Sequence, residues 1–533
     1  MRKTDRKTDR VGASMSVLRV MGLETEYGVS RVGGKYENHA QLSFDVIEAV
    51  RALSPSTAHV AWNYGHEDPV HDARGYHMPR AHVSSDLLTD REELRATNAP
   101  HINGARIYVD HCHPEYSSPE TISPREAVLY NHAGDAIMQH AMVKAQQPIT
   151  LYRNNVDGKG ASWGSHENYQ VERAVPFDML SALFTAHAVS RQIYTGAGRV
   201  GLGEESETPG FQISQRADYF AMKEGLQTTF HRPIVNTRDE SHSTDTYRRF
   251  HVIVGDANRM DVPDLLKLGV TSLLFWALEH SYDTDETRDF VRSMSMEDPV
   301  EAMHSISHDL SLAAPVAMSN GDKLSAIDIQ LRLRSWVYAV AAAQYDTDSR
   351  GEPRWPDEDT HEIVQLWQKV LLDCLEVAHA DDTQRLQLSE AASRLEWLLK
   401  WQVCESMRRR KNIQWSSPLL QAMDISWARI DAQSLFAKVA QKTERLFDTS
   451  LLEHATHTPP ASTRAYTRGL LLQQYAAHVL SVSWDIVVLD IEGRRSIIDM
   501  AHPLTYTRAD SADTFTADFS IEEVEKRLTT LTK

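Results

Sequence analysis

Hydrophobic and polar positions alternate in short runs through the first 260 residues. Runs at 22–28, 106–110 and 250–254 are the clearest, with Gly, Pro and Asn between them. A period of two with such punctuation predicts an antiparallel sheet with inserted helices. From about Val262 the period lengthens. Leu265, Leu266, Leu268, Val270, Leu273, Leu274 and Leu278 fill a largely buried helix, and 362–378 and 386–410 read as long amphipathic ones. A Pro/Thr/Ser break at 456–462 precedes a last unit in which 482–489 reads as a strand carrying Trp484. The pattern therefore predicts an α+β protein with a large domain over 17–450 and a small C-terminal domain over 451–533. Residues 53–100, rich in His, Asp, Pro and Ser, are too long for an ordinary connection. They read as a mobile functional loop or a disordered insertion. Trp62 and Tyr64 are candidate anchors in this loop, and Arg74 is a candidate contact for phosphate or carboxylate. As a surface loop, 58–78 is expected to be removable with little loss of stability.

Composition narrows the function classes. The chain has 533 residues, 41 % apolar and 24 % charged, which suits a large globular core. Its formal net charge of −18 argues against nonspecific binding of nucleic acid or anionic membrane. The three cysteines, Cys112, Cys374 and Cys404, lack metal-site spacing and suggest no disulfide framework. No apolar run is long enough to span a membrane, and the polar leader 1–16 has no signal-type apolar core. A cytoplasmic protein is expected. Arg408, Arg409, Arg410 and Lys411 read as the charged C-terminal end of a helix, not a nucleic-acid patch.

Candidate chemistry is concentrated on two strands. Glu24 and Glu26, two residues apart, project from one face. Paired carboxylates of this kind repel unless a cation lies between them, and oxygen ligands on a rigid strand suit Mg²⁺. Arg106, Tyr108 and Asp110 alternate onto one face, with Glu115 expected just past the strand. The same spacing also suits a solvated strand face with cross-strand pairs. Gly196-x-Gly198 and Gly201-x-Gly203 do not form a phosphate loop, because no Gly-Lys-Ser/Thr follows.

The wording of the motifs goes further than their spacing. Residues 21–28 (MGLETEYG), 108–110 with 113–116 (YVD, HPEY), 164–169 (GSHENY), 214–217 (SQRA), 236–240 (NTRDE) and 251–258 (HVIVGDAN) occur in order. They resemble the Pup ligase/deamidase family, relatives of glutamine synthetase that act on the prokaryotic ubiquitin-like protein Pup. The stretches 59–75, 199–211 and 154–162 look like the hydrolytic branch of that family, the Pup deamidase/depupylases. Departures are the leader, Cys112, Trp163 and Asn63, which stands where an acidic residue is expected.

The resemblance implies a glutamine-synthetase-like fold with a curved antiparallel sheet packed by helices. It implies ATP, or ADP plus phosphate, held with Mg²⁺ on the concave face. Carried over by position, Glu24, Tyr108 and Glu115 match metal ligands, and Glu26, His166 and His251 are candidates to complete the shell. Arg106 and Ser118 match nucleotide contacts, Trp484 a residue near the base, and Asp110 the catalytic aspartate. Arg216 and Arg238 are candidate phosphate or carboxylate clamps, or else ion-pair partners of Asp218 and Asp239. The implied partners are Pup and pupylated proteins. The implied reaction is hydrolysis of Pup's C-terminal glutamine amide and of the Pup–lysine isopeptide, with Asp110 as nucleophile or general base; the alternative is an ATP-consuming Pup ligase.

Overall fold

A computed structural model describes residues 17–33, 38–67, 69–79, 98–239, 245–516 and 518–531. The expected leader 1–16 and the loop residues 80–97 lie outside the described residues. In chain order the strands that position the site are β1 (Met21–Glu26), β2 (Ala61–Trp62), β3 (Asn98–Pro100), β4 (Arg106–Asp110) and β5 (His113–Ser117). They continue with β6 (Ser165–Glu172), β7 (Tyr247–Val252), β8 (Val479–Val482), β9 (Ile486–Ile491) and β10 (Arg494–Asp499). Six of them form one antiparallel sheet in the order β7-β6-β1-β5-β4-β3.

The alternation read from the sequence is the structural device here. Along β6, Ser165, Glu167, Tyr169 and Val171 are buried while His166, Asn168, Gln170 and Glu172 are half-exposed. The buried face packs on α2 (Pro124–Lys144), α3 (Phe177–Thr195) and α4 (Asp261–Ser281), with Leu23, Tyr169, Phe250, Phe184 and Phe275 in one core. Helix α4 is apolar nearly all round and buried along almost its whole length, as its leucine pattern predicts. Polar groups on the buried face are paired. Arg191 forks onto Glu167, and Thr25 Oγ1 donates to Asn131 Oδ1 at 3.0 Å. Tyr27 donates to Asp135 at 2.7 Å. These bonds hold β1 at fixed height above the helices.

Three expectations are corrected. The helix expected over 386–410 is broken into turns at Asp382–Arg385 and Ser389–Ala392 and a helix at Glu396–Lys411. Asp381 caps the first turn, and Arg394 is drawn onto Asp373 at 2.7 Å, so the chain folds back before the helix starts. That helix does end in Arg408–Lys411, with Asn412 left-handed at its C-cap. The strand expected over 482–489 is a hairpin, β8 and β9, with Trp484 in its turn. There Ser483 Oγ donates to Asp485 Oδ1 at 2.7 Å and Ser483 N to Ile486 O at 2.8 Å.

The described start of the long connection is not a surface loop. β2 pairs in parallel with β8 and extends the C-terminal sheet to the order β10-β9-β8-β2, and Trp62 is buried in that sheet's core. Further on, Asp72 accepts from Thr237 Oγ1 at 2.8 Å, and Ala73 N donates to Thr237 O. Arg74 folds back onto Asp72 at 2.8 Å. Among the described residues no helix is long and apolar enough to cross a membrane.

Candidate active site

The register of the six-stranded sheet decides which side chains meet on its open face. Arg106, Ser117, Glu24 and His166 fall in one cross-strand row, and Tyr108, Glu115 and Glu26 in the next. Asn168 and His251 face each other across β6 and β7. Glu115 thus lies past the end of β4, as expected, and within β5, opposite Tyr108. Two groups of three ligating side chains result: Glu24 with His166 and His251, and Glu26 with Asp110 and Glu115. Within each group the ligand atoms lie within 4.8 Å of one another.

Glu24 is gripped from several sides. Its Oε2 lies 3.2 Å from His166 Nδ1, while Oε1 accepts from Asn168 Nδ2 and Arg249 Nη2, each at 3.0 Å. Asn168 Oδ1 in turn accepts from Arg249 Nε at 2.8 Å and lies 2.9 Å from His251 Nδ1. Nδ1 of His251 also lies 3.3 Å from Arg249 Nη2. Glu26 Oε1 accepts from Gly164 N at 2.8 Å. A Cβ at Gly164 would stand 2.2 Å from His166 Nε2 and 2.5 Å from Glu26 Oε1, so only glycine fits between these two groups.

The electrostatics follow from burial and crowding. Burial first, and then the charges of Asp110, Glu24 and Glu26, push the Glu115 carboxyl well above the usual carboxylate range. Its Oε2 is buried with no hydrogen-bond partner. Burial also opposes ionisation of Glu24, yet the His166 hydrogen bond and the Arg249 charge hold it well below that range. Asp110 is likewise held down against burial, chiefly by the hydrogen bond and charge of His111. Burial and the Arg249 guanidinium lower His251 well below an ordinary histidine, which keeps it neutral. Burial and the Glu115 charge raise the Tyr108 phenol well above 10, so it stays protonated. An all-oxygen trio with an orphaned buried oxygen fits a hard divalent cation such as Mg²⁺. The carboxylate–imidazole trio also suits Mn²⁺ or softer ions. Tyr108 belongs to neither trio; it stands opposite Glu115 across β4 and β5 and flanks Arg106.

Over this face runs a cleft with two halves that share Glu24, Ser117, Arg249 and Trp484. One half, about 700 Å³, is lined by Val20, Gly22, Ser118, Trp484 and Pro503. The apolar surface beside Trp484 suits an aromatic base. The other half, about 750 Å³, is polar and holds Arg106, Tyr108, Asp110, Glu115, His166, Arg238 and His251. Arg106 is stacked between Trp62 at 4.3 Å and Tyr108 at 4.0 Å, and donates to Asn98 Oδ1 at 2.8 Å. Trp62 also meets Trp484 edge-on at 5.2 Å, so the long connection and the C-terminal sheet together form one wall.

Of the residues singled out in the sequence, Glu24, Tyr108, Asp110, Glu115, His166, His251, Arg106, Arg238 and Trp484 line the polar half, and Ser118 the apolar half. Glu26 stands behind them, in the second ligating trio. Arg216 is not brought to the cleft wall. It is buried, donates to Ser162 Oγ at 3.3 Å and to Ile253 O, and burial and Arg232 lower it to about 9. Its expected alternative partner, Asp218, pairs with His308 at 2.8 Å. Sequence reasoning missed Arg249, Asn168 and His111, while Trp62, read as an anchor of the long connection, meets Arg106 and Trp484 at the cleft. For Arg249 and Asn168 a signal existed: each lies two residues from a histidine already chosen, on the same strand face.

The profile of the Pup-ligase protein family matches residues 19–488. A depupylase of Acidothermus cellulolyticus is 38 % identical over 523 residues, 96 % of this chain and 99 % of that one. A Pup deamidase/depupylase of Mycolicibacterium smegmatis is 38 % identical over 521 residues, covering 95 % and 99 %. A Pup–protein ligase of Mycolicibacterium vanbaalenii is 30 % identical over 496 residues, covering 90 % and 95 %. Among solved structures, the Pup ligase PafA in complex with Pup superposes with a TM-score of 0.74 at 23 % identity, covering 98 % of this chain and 94 % of that one. PafA in complex with ADP gives 0.66 at 25 % identity, covering 86 % and 96 %. The fold is therefore that of PafA, and the chain belongs to the Pup-ligase protein family.

Proposed function

We propose that this enzyme is an amidohydrolase acting on Pup. It would hydrolyse the side-chain amide of a C-terminal glutamine and the isopeptide bond between Pup and a lysine. The observation that carries this reading is the gradient of likeness along nearly the whole chain. Identity is 38 % to proteins named depupylases and 30 % to one named a ligase.

The cleft supports a bound nucleotide, ATP or ADP with phosphate. Trp484 and Ser118 flank the base in the apolar half, while Arg106 and Arg238 face the phosphates in the polar half. Glu24, His166 and His251 would hold one divalent ion, and Glu26 and Glu115 another, with Asp110 beside it. Bound Mg²⁺ neutralises phosphate charge and polarises the amide carbonyl. Asp110, kept ionised by His111, acts on that carbonyl carbon or on the water that attacks it. Asn168 orients Glu24 and His251 through the contacts described above. A cytoplasmic setting goes with this reading, and all three cysteines are free.

The experiment is direct. Purified protein with Mg²⁺ and nucleotide is incubated with a Pup–protein conjugate and with Pup ending in glutamine, and the products are read by mass spectrometry. Release of intact target with a free lysine, or conversion of glutamine to glutamate, is expected. Formation of new conjugates from Pup ending in glutamate, without release from old ones, would favour the ligase.

A further inference from the structure

His111 and Cys112 form the two-residue turn between β4 and β5, with φ of +42° and +75°. Hairpin turns with both φ positive are ordinarily built from Asn and Gly, because a Cβ crowds the carbonyl oxygen in the left-handed backbone. The turn is braced from outside the hairpin: Ser43 Oγ, on the helix His39–Leu53, donates to Cys112 O at 2.7 Å. What the strained position provides is the imidazole. Nδ1 of His111 lies 2.8 Å from Asp110 Oδ2, and both side chains line the polar half of the cleft.

The fold gains little from this pair. The His111 side chain is 35 % exposed, and partly exposed ion pairs add little to stability. Strain kept at a turn beside a reactive group marks function. Asp110 is the last residue of β4, opposite His113, so the ladder stops constraining it there. The neighbouring His113 is engaged elsewhere, with Nδ1 3.5 Å from Glu26 and its ring stacked on Trp163 at 4.9 Å. We infer that His111 is a positioning residue for amide hydrolysis, its Nδ1–H holding one Asp110 oxygen so that the other faces the scissile carbonyl. The inference rests on the role given to Asp110 above.

Two variants separate imidazole from backbone. His111→Gly relieves the left-handed strain and removes the donor. His111→Asn tolerates the same φ, and its amide N–H can take the place of Nδ1–H. On a Pup conjugate, kcat of His111→Gly should fall about tenfold or more with KM within about threefold, while its melting temperature is no lower than that of the wild type. His111→Asn should recover kcat to within about threefold of the wild type. Wild-type turnover in His111→Gly, or no recovery in His111→Asn, would overturn the inference. Crystal structures of both variants give a readout that needs no activity. The Asp110 carboxylate should keep its direction in His111→Asn and turn in His111→Gly; an unchanged carboxylate in the glycine variant overturns the inference. A wild-type protein that cleaves no conjugate would instead overturn the proposed function, with the crystallographic readout still deciding this one.

Discussion

Glu115 is where the site's electrostatic tension is greatest, since burial and three neighbouring carboxylates all oppose its ionisation. With its folded affinity for a proton raised, Glu115 destabilises the metal-free protein as pH rises above the unfolded carboxylate value. Glu115→Gln should therefore leave the metal-free melting temperature at neutral pH unchanged or higher. Mg²⁺-dependent ATP affinity, measured by calorimetry, should at the same time fall about tenfold or more. A lower melting temperature with unchanged affinity would assign Glu115 to the fold and not to a metal. Gly164→Ala tests the neighbouring contact, because its Cβ would displace His166 or Glu26. About a tenfold loss of the same affinity is expected, and unchanged binding would show that those two side chains yield freely. Strand alternation made most of this face legible: once Glu24, Tyr108 and His251 are chosen, their partners follow by parity. Arg249 follows in the same way from His251, whereas His111 was not legible. His111 acts through a turn conformation that no periodicity encodes.

At the scale of elements, the leucine-rich helix and the 362–378 helix were read correctly because apolar spacing alone specifies them. The broken 386–410 stretch and the β8–β9 hairpin were not, because caps and long-range pairs such as Arg394–Asp373 set their ends. The long connection misled for a related reason: Trp62 has an apolar partner only once the C-terminal sheet is in place. Trp62→Ala should cost about 3 kcal/mol in urea unfolding, whereas a loss under about 1 kcal/mol would make the segment passive. A second tie is electrostatic. Burial raises the Glu120 carboxyl, but Arg468 and Arg464 bring it down to about 2. Both arginines belong to the C-terminal unit, Arg464 donating at 2.7 Å, and Arg468 also donates to Gly104 O at 2.8 Å. A depressed carboxylate stabilises above its unfolded value near 4.5 and loses that contribution as pH falls toward 2. Stability should thus drop by about 3 kcal/mol more in the wild type than in Glu120→Gln over that window, measured by urea titration at several pH values. Parallel pH profiles for the two proteins would remove Glu120 from the account.

The whole molecule carries a net charge of −18 yet concentrates Arg106, Arg238 and Arg249 in one cleft. Set beside the carboxylates Glu24, Asp110 and Glu115, these arginines suit a polyanion carried with divalent cations, not broad attraction to nucleic acid. Everything that lines that groove converges there: the six-stranded sheet, the docked start of the long connection, and the C-terminal hairpin with Trp484. The central claim is that this nucleotide site serves hydrolysis as a resident cofactor site and not as a fuel site. The measurement is the number of nucleotides consumed per amide cleaved, with a Pup conjugate as substrate. The account predicts cleavage sustained by ADP plus phosphate or a slowly hydrolysed ATP analogue, with far fewer nucleotides consumed than bonds broken. One ATP lost for each amide bond broken or made would contradict it.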